Sequence, residues 1–465
     1  EPVRQAAHMC RKRGRIVLVG VTGLELSRAD FFEKELTFQV SCSYGPGRYE
    51  PAYEQKGLDY PIGFVRWTEQ RNLEAVLGLL ADGRFDVGPL VSHRFDIADA
   101  ARAYAVVGGA EPSLGIIVRY PTVEEKTDAV MRERTVALAP ATPAVIGGKT
   151  GKVGVGVIGS GNYASAVLIP AMKAAGAHLR NVASSAGVSG VHAGKKFGFE
   201  RATTDIDGLL ADAMIDAVVI ATQHNTHADL VVRALEAGKH VFVEKPLALT
   251  PEEVDTVAAA MARATAAGRP RHVMVGFNRR FAPHVMKMKE LLKGGGPSAF
   301  VMTVNAGAIP ATHWTQDPDV GGGRIIGEAC HFIDLLRHLA SAPVAAHHAS
   351  FMASPTADTA TLSLTFTNGS IGAVHYFANG SKQVSKERLE AFDQGRVLQL
   401  DNFRRLRGWG WPGFSKMNLW RQDKGVAQCL EAFVGAIRDG GLGPIPLEET
   451  LEVSRISIEL EASLT

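Results

Sequence analysis

Apolar residues along this chain fall into short runs whose spacing changes character from one stretch to the next. Arg15-Ile-Val-Leu-Val-Gly20 and Leu36-Thr-Phe-Gln-Val-Ser41 read as strands, and helical spacing predicts a helix over 72–82. A strand over Leu90-Val-Ser-His-Arg94, a helix over 97–107 and a strand over Leu114-Gly-Ile-Ile-Val118 complete a first α/β alternation within residues 1–120. Across 121–151 the periodicity lapses. Ala137-Leu-Ala-Pro-Ala-Thr-Pro-Ala144 and Gly147-Gly148 read as an interdomain linker.

A second alternation starts at Lys152. The runs Val153-Gly-Val-Gly-Val-Ile158, Leu179-Arg-Asn-Val-Ala183, Ala217-Val-Val-Ile-Ala221 and His240-Val-Phe-Val243 lack an apolar/polar alternation. Strands of that kind suit a parallel sheet covered by helices on both faces. Helices are predicted between them over 164–175, 207–213 and 228–237. Beyond residue 276 the runs lengthen and alternate: Ala299-Phe-Val-Met-Thr-Val304, Thr359-Ala-Thr-Leu-Ser-Leu-Thr-Phe366 and Ser370-Ile-Gly-Ala-Val-His-Tyr376. Asn368-Gly369 between the last two predicts a tight hairpin, because both residue types tolerate positive φ. The expected class is α/β over 152–275, followed at 276–465 by an α+β domain with a large, mostly antiparallel sheet. One free sheet face would favour a homodimer or homotetramer.

Composition narrows the functional classes. The 465 residues carry a net charge of +2 and are 46% apolar, which excludes the basic excess of a nucleic-acid binder. The clusters Arg11-Lys12-Arg13 and Arg404-Arg405 are short and read as solvated faces. Cys10, Cys42, Cys330 and Cys429 are scattered without a CxxC pair, so neither a disulfide framework nor a metal site is expected. No apolar run approaches the roughly 20 residues that span a bilayer. With no signal-peptide pattern at the start, a cytoplasmic protein is expected.

Gly159-Ser-Gly-Asn-Tyr-Ala164 matches GxGxxG/A and sits between a strand and a helix, the context a dinucleotide site needs. Gly159 permits the tight turn, Gly161 lets a pyrophosphate approach, and Asn162 and Tyr163 open a helix whose N-terminus favours anions. The end of the second strand ordinarily separates NAD from NADP through an acid or a base. Ser184-Ser185 offers neither. Small hydroxyls accommodate a 2′-phosphate, and Lys195 or Lys196 would either reach it or stand as solvated helix lysines, so the cofactor is NAD or NADP with a slight balance toward NADP.

Ala221-Thr-Gln-His-Asn-Thr-His227 and Ala237-Gly-Lys-His-Val-Phe-Val-Glu-Lys-Pro246 resemble the glucose-fructose oxidoreductase/inositol dehydrogenase/MocA family. Gly276-Phe-Asn-Arg-Arg-Phe281 and Gly321-Gly-Gly-Arg-Ile-Ile-Gly-Glu-Ala-Cys-His-Phe-Ile-Asp334 extend the likeness in the same order. The resemblance implies a Rossmann dinucleotide-binding domain and hydride transfer between nicotinamide and a hydroxyl-bearing carbon of a sugar, inositol or nucleotide-sugar. Redox-assisted glycoside cleavage and a non-catalytic cofactor-binding scaffold are the alternatives.

The resemblance also implies site residues. Lys245 would lie at the edge of the nicotinamide, before a Pro246 that often follows a cis bond. Glu244 would contact the cofactor ribose, and Thr222, His224, Asn225 and His227 would line the nicotinamide side. His331 falls where the family keeps its catalytic histidine. An imidazole there would take the hydroxyl proton as hydride leaves, its ordinary pKa lying near working pH. Asp334, three residues on, shares its helical face and would orient it or contact substrate. Many members carry Asp four residues before the histidine; here that position is Gly327, with Glu328 beside it as a candidate substrate contact. Arg279 would clamp substrate or form a structural salt bridge. His313 and Trp314 would stack on a sugar or pack a loop.

Residues 1–120 have a separate resemblance. Gly14-Arg-Ile-Val-Leu-Val-Gly20, Leu90-Val-Ser-His-Arg-Phe-Asp-Ile-Ala-Asp-Ala-Ala101 and Leu114-Gly-Ile-Ile-Val118 resemble the tail of a medium-chain, zinc-type alcohol dehydrogenase. That family's glycine fingerprint, zinc-ligand cysteines and Gly-His-Glu motif are missing. The region is therefore expected not to catalyse by itself, and the chain, which starts at Glu1, is expected to be a fragment of a longer fusion.

Overall fold

The computed structural model describes residues 2–139, 152–268, 270–294, 296–354 and 356–463. They form two compact units, Glu1–Met131 and Arg132–Thr465. The Ala/Pro-rich and diglycine part of the expected linker, residues 140–151, lies outside the described residues.

The first unit contains two separate pairs of parallel strands. β1 (Arg15–Leu18) pairs with β2 (Thr37–Val40), and β3 (Val91–Asp96) pairs with β4 (Gly115–Arg119). The short helix Arg28–Phe32 connects the first pair, and the helix Ala100–Val107 connects the second. Its other long helix, Glu69–Ala81, buries no residue. Parallel strands ordinarily need helices over both faces, and here Val17, Val19 and Ile117 are left exposed.

The second unit holds two larger sheets. The first has seven strands in the order β11-β10-β9-β6-β7-β8-β5. These are β5 (Thr135–Ala137), β6 (Gly154–Ile158), β7 (His178–Ala183), β8 (Arg201–Thr203), β9 (Ala217–Ile220), β10 (His240–Val243) and β11 (Val273–Val275). All pairs are parallel except β5 with β8. β5 falls within residues expected as linker. Three residues are too few for periodicity to reveal, and the strand exists because the edge of β8 pairs with it. Every residue of β6 and β9 is buried, as the unbroken apolar runs demand. Helix starts are set locally: Thr250 and Glu253 form a reciprocal capping box at the helix Pro251–Ala266.

The second sheet has eight strands in the order β13-β14-β15-β12-β16-β17-β18-β19. They are β12 (Ala299–Asn305), β13 (Val344–Phe351), β14 (Ala360–Phe366), β15 (Ile371–Phe377), β16 (Glu387–Asp393), β17 (Arg396–Asp401), β18 (Arg405–Trp409) and β19 (Lys416–Asn418). Only β12 with β15 is parallel. The β14–β15 hairpin turns at Asn368-Gly369 as expected, although only Gly369 takes positive φ. The helices Cys330–Ala340 and Leu447–Ala462 pack together, the first against β15 and the second against β13.

One apolar core runs through both sheets, from Val153 to Leu460. Phe433, on the helix Val426–Asp439, meets Phe242 of β10 edge-on at 5.7 Å, so a C-terminal helix completes the cover of the first sheet. Burying such a ring contributes on the order of 2–3 kcal/mol.

Candidate functional site

The glycine turn stands where β6 ends. Gly159 has φ +100°, and a Cβ there would strike the Ala221 carbonyl oxygen leaving β9. Gly161 differs: apart from its own chain neighbours, no atom of the described residues lies within 4 Å of where its Cβ would be. That space is open for an anion. The helix that follows starts at Asn162 and passes through a π turn, Ala164–Leu168, with Ala164 packed in the core. π turns occur often at functional sites. A Gly turn, open space and helix N–H groups together fit a dinucleotide pyrophosphate.

Beyond β7, the Ser184 Oγ lies 2.5 Å from Ser189 Oγ, which lies 3.1 Å from Ser160 Oγ. Lys195 and Lys196 occupy the last turn of the helix Val188–Phe197, about 10 Å along it from Ser189. They are not part of this hydroxyl cluster.

Strand ends bring together several residues expected near nicotinamide, with different fates. Thr222 Oγ1 lies 2.6 Å from Thr226 Oγ1, and Asn225 is exposed. His227 is wholly buried, with Nδ1 2.7 Å from Pro246 O and Nε2 3.2 Å from Thr222 O. The expectation that it contacts cofactor is corrected: it braces the turn that presents Lys245. His224 is 7% exposed, and its Nδ1 donates to Gly321 O at 2.7 Å.

A cis peptide joins Lys245 to Pro246 just past β10. The Lys245 ammonium donates to the Gly327 carbonyl at 2.8 Å. Glu244 is buried over Gly276, and burial pushes its carboxyl up to about 7 against the pull of Lys245 and Arg279. Gly327 belongs to a second π turn, Ile325–Ala329, that runs into the helix carrying His331.

His331 is 6% exposed, and its Nδ1 is buried without a partner. Burial holds its pKa well below 6.5, reinforced by the positive charges of Arg279, Lys245, Lys424 and Lys386. The imidazole therefore rests neutral in a cationic surround, able to accept a proton and poorly able to retain it.

Three expected site residues are tied up by partners. Asp334 is completely buried and takes Arg280 at 2.6–2.9 Å, so it does not orient His331. The same guanidinium reaches Glu449. Arg279 forks onto Glu387 at 2.9 and 3.0 Å beside the Phe332 ring, which is the salt-bridge alternative and not a free clamp. Glu328 accepts from Tyr376 and Lys386 at 2.5 Å each and from Arg324 at 3.0 Å. Burial raises its carboxyl, but these cations and the phenol outweigh it and hold the pKa at about 2. Glu328 is thus an ionised carboxylate held by three donors. His313 is exposed and bonded to Thr315, whereas the Trp314 ring meets His224 edge-on at 4.7 Å.

Lys386, Lys424, Glu387 and Tyr376 escaped the sequence reading. One signal was available: in β16, Glu387 shares alternation parity with Leu389 and Ala391, and a charged residue on a core face needs a partner. A cavity of about 600 Å³ opens beside Lys386, lined also by Asn305, Ile309, Lys382 and Asn402.

Comparison with known proteins gives the wider setting. Residues 153–277 match the family model described as "Oxidoreductase family, NAD-binding Rossmann fold", and residues 256–392 match "GFO/IDH/MocA C-terminal domain". A Myo-inositol 2-dehydrogenase of Thermotoga maritima is 30% identical over 224 residues, 45% of this chain and 64% of that protein. A levoglucosan dehydrogenase of Pseudarthrobacter phenanthrenivorans is 34% identical over 155 residues, 32% of this chain and 38% of that protein. The chain thus covers less than two thirds of the length of these relatives. The solved oxidoreductase domain protein of Kribbella flavida aligns with TM-score 0.61 at 22% identity, over 67% of this chain and 97% of that one. That likeness is one of fold.

Proposed function

From residue 153 to residue 392 the chain belongs to the GFO/IDH/MocA oxidoreductase family, and from that premise we propose that it is an NAD(P)-dependent dehydrogenase of a sugar, inositol or nucleotide-sugar. The observation that carries the reading is the approach of Lys245 to the segment bearing His331: its ammonium bonds the Gly327 carbonyl, four residues before His331, and its charge helps to lower the His331 pKa. Lys245 leaves the carboxyl end of β10, in the sheet whose β6 bears the Gly159 turn; His331 comes from the helix against the second sheet. Ligands of open α/β sheets bind at such strand ends.

A bound nicotinamide supplies the hydride acceptor or donor. The chain's own residues manage everything else. The Gly159 turn and the helix N-terminus hold the phosphates. His331 takes the proton of the reacting hydroxyl, and the Lys245 ammonium stabilises negative charge on that oxygen. The test is direct: purified protein, NAD or NADP, and a panel of sugars and inositols, followed by absorbance of the reduced cofactor. Turnover that vanishes in Lys245→Ala and in His331→Ala supports the reading. No turnover and no dinucleotide binding would overturn it.

The end of β7 supports NADP over NAD, since three serine hydroxyls converge there and no carboxylate competes with a 2′-phosphate. Fluorescence titration with both reduced cofactors decides it; equal or tighter NADH binding would refute that preference. The half-exposed residues Val301, Thr303, Ala373 and His375 alternate with core residues on one face of the second sheet. They support pairing with a second copy as a dimer or tetramer, which light scattering measures. For the first unit, two strand–helix–strand pairs with parallel strands support a relation to the tail of a medium-chain alcohol dehydrogenase. The His331→Ala protein should then oxidise no simple alcohol.

A further inference from the structure

Gly327 raises a question that its own lack of a side chain answers. A Cβ on residue 327 would sit 2.9 Å from Cε1 and 3.4 Å from Nδ1 of His224. The imidazole, arriving from a turn after β9, fills the place a side chain of residue 327 would take. It does so beside the carbonyl that receives Lys245.

The chemistry of that ring is fixed by its surroundings. Gly321 O only accepts, so the 2.7 Å bond places the ring proton on Nδ1 and leaves Nε2 as a pure acceptor. Burial lowers the His224 pKa to about 3; the Gly321 carbonyl opposes the shift and the nearby Lys245 charge adds to it. The ring is held between Trp314, edge-on at 4.7 Å, and Gly327. Nε2 has no partner among the described residues, while the carboxylates of Glu328 and Glu387 are each engaged by cations. A polyol entering beside Lys245 therefore meets ammonium donors and two neutral imidazoles.

We propose that Nε2 of His224 accepts a hydrogen bond from a second hydroxyl of the substrate, next to the one whose proton passes to His331, so that the site selects vicinal diols. The inference rests on the dehydrogenase reading above and deepens it. A site that pairs an acceptor with a substrate hydroxyl discriminates against the analogue lacking it, because binding that analogue takes the acceptor out of water without giving it a partner.

The test pairs a substrate change with a residue change. Wild-type protein, His224→Phe and His224→Gln are assayed with myo-inositol and D-glucose and with their monodeoxy analogues. His224→Phe keeps a ring against Trp314 and removes the acceptor; His224→Gln retains an acceptor. For the intact diol, kcat/KM is expected to fall about tenfold or more in His224→Phe and to recover in part in His224→Gln. For the analogue deoxy at the neighbouring carbon, wild type and His224→Phe should be equal. The Kd for reduced dinucleotide and the acidic limb of the pH profile should not move, because the proposed contact is to substrate and His224 does not titrate in the working range. Equal loss on diol and deoxy substrates, or a raised dinucleotide Kd, would overturn this inference and leave the dehydrogenase reading standing. Absence of turnover with every polyol in wild-type protein counts against that reading instead.

Discussion

The two units were built from the same kind of local pattern, yet they bury it very differently. In the first, Val19 is 83% exposed, Phe64 90% and Tyr104 78%, and the only buried apolar side chains among the described residues are Val3, Ala7 and Ala103. In the second, a continuous core runs from Val153 to Leu460. Two parallel strands and one helix cannot cover each other's faces, whereas seven strands with helices on both sides can. Chemistry follows the same divide. Every buried, partnered charge near the candidate site lies in the unit with a core, because only a desolvated surround makes such charges worth holding in place.

That contrast is open to attack by experiment. The largest effect should come from the pair at the centre of the second unit: Lys245→Ala or His331→Ala is expected to lower kcat by about 10²–10⁴-fold with dinucleotide affinity retained. His93→Ala, which removes a contact to Glu111 in the first unit, should leave kcat unchanged. A comparable loss from both units would erase the distinction.

Next comes the buried pair. Asp334→Ala leaves the buried Arg280 guanidinium with Glu449 as its remaining carboxylate and should cost about 3 kcal/mol in denaturant unfolding of the second unit. Arg119→Ala, which frees the exposed Asp96 in the first, should not shift a denaturation midpoint measurably.

Acid sharpens the comparison further. Seven histidines of the second unit, His224, His227, His240, His272, His284, His331 and His338, have pKa values lowered chiefly by burial. Their unfolded forms protonate first as pH falls below 6.5, so stability present above that pH drains away toward the lower folded values. Each contributes on the order of 1 kcal/mol per pH unit within its window. Glu244 and Glu461, raised to about 7 by burial, act in the opposite sense between pH 4.5 and 7 but are outnumbered. Thermal unfolding of the second unit should therefore move to lower temperature between pH 6.5 and 5. An unchanged Tm there would mean that these rings are not neutral in the folded state.

The smallest effect expected is from removing the first unit altogether. A chain starting at Arg132 keeps β5 and the whole core, and should bind reduced dinucleotide with unchanged affinity. Loss of binding on this truncation would show that the divide between the units is drawn in the wrong place.

Strands are legible in the sequence where one face or both faces carry an unbroken apolar signal. β6, β9 and β10 were visible because every residue in them is apolar or glycine, apart from His240, and the Gly159 turn because only glycine fits its φ. β16 to β18 were not visible. Glu387 places a charge on the core face of β16, and the Arg279 that neutralises it lies 108 residues away.

By itself, then, the sequence determined the sites of local necessity: the glycine turn, the parallel strands, and the lysine and histidine motifs. These depend on backbone sterics and on runs of like residues, which neighbours in sequence can encode. Tertiary structure alone decided what the charged groups do. Asp334 met Arg280, 54 residues away; Glu328 met Lys386, 58 away; and His224 met the Gly321 carbonyl, 97 away. A carboxylate's role depends on which cation reaches it first in a dry interior, and that is settled by packing between distant segments, where no local pattern reaches.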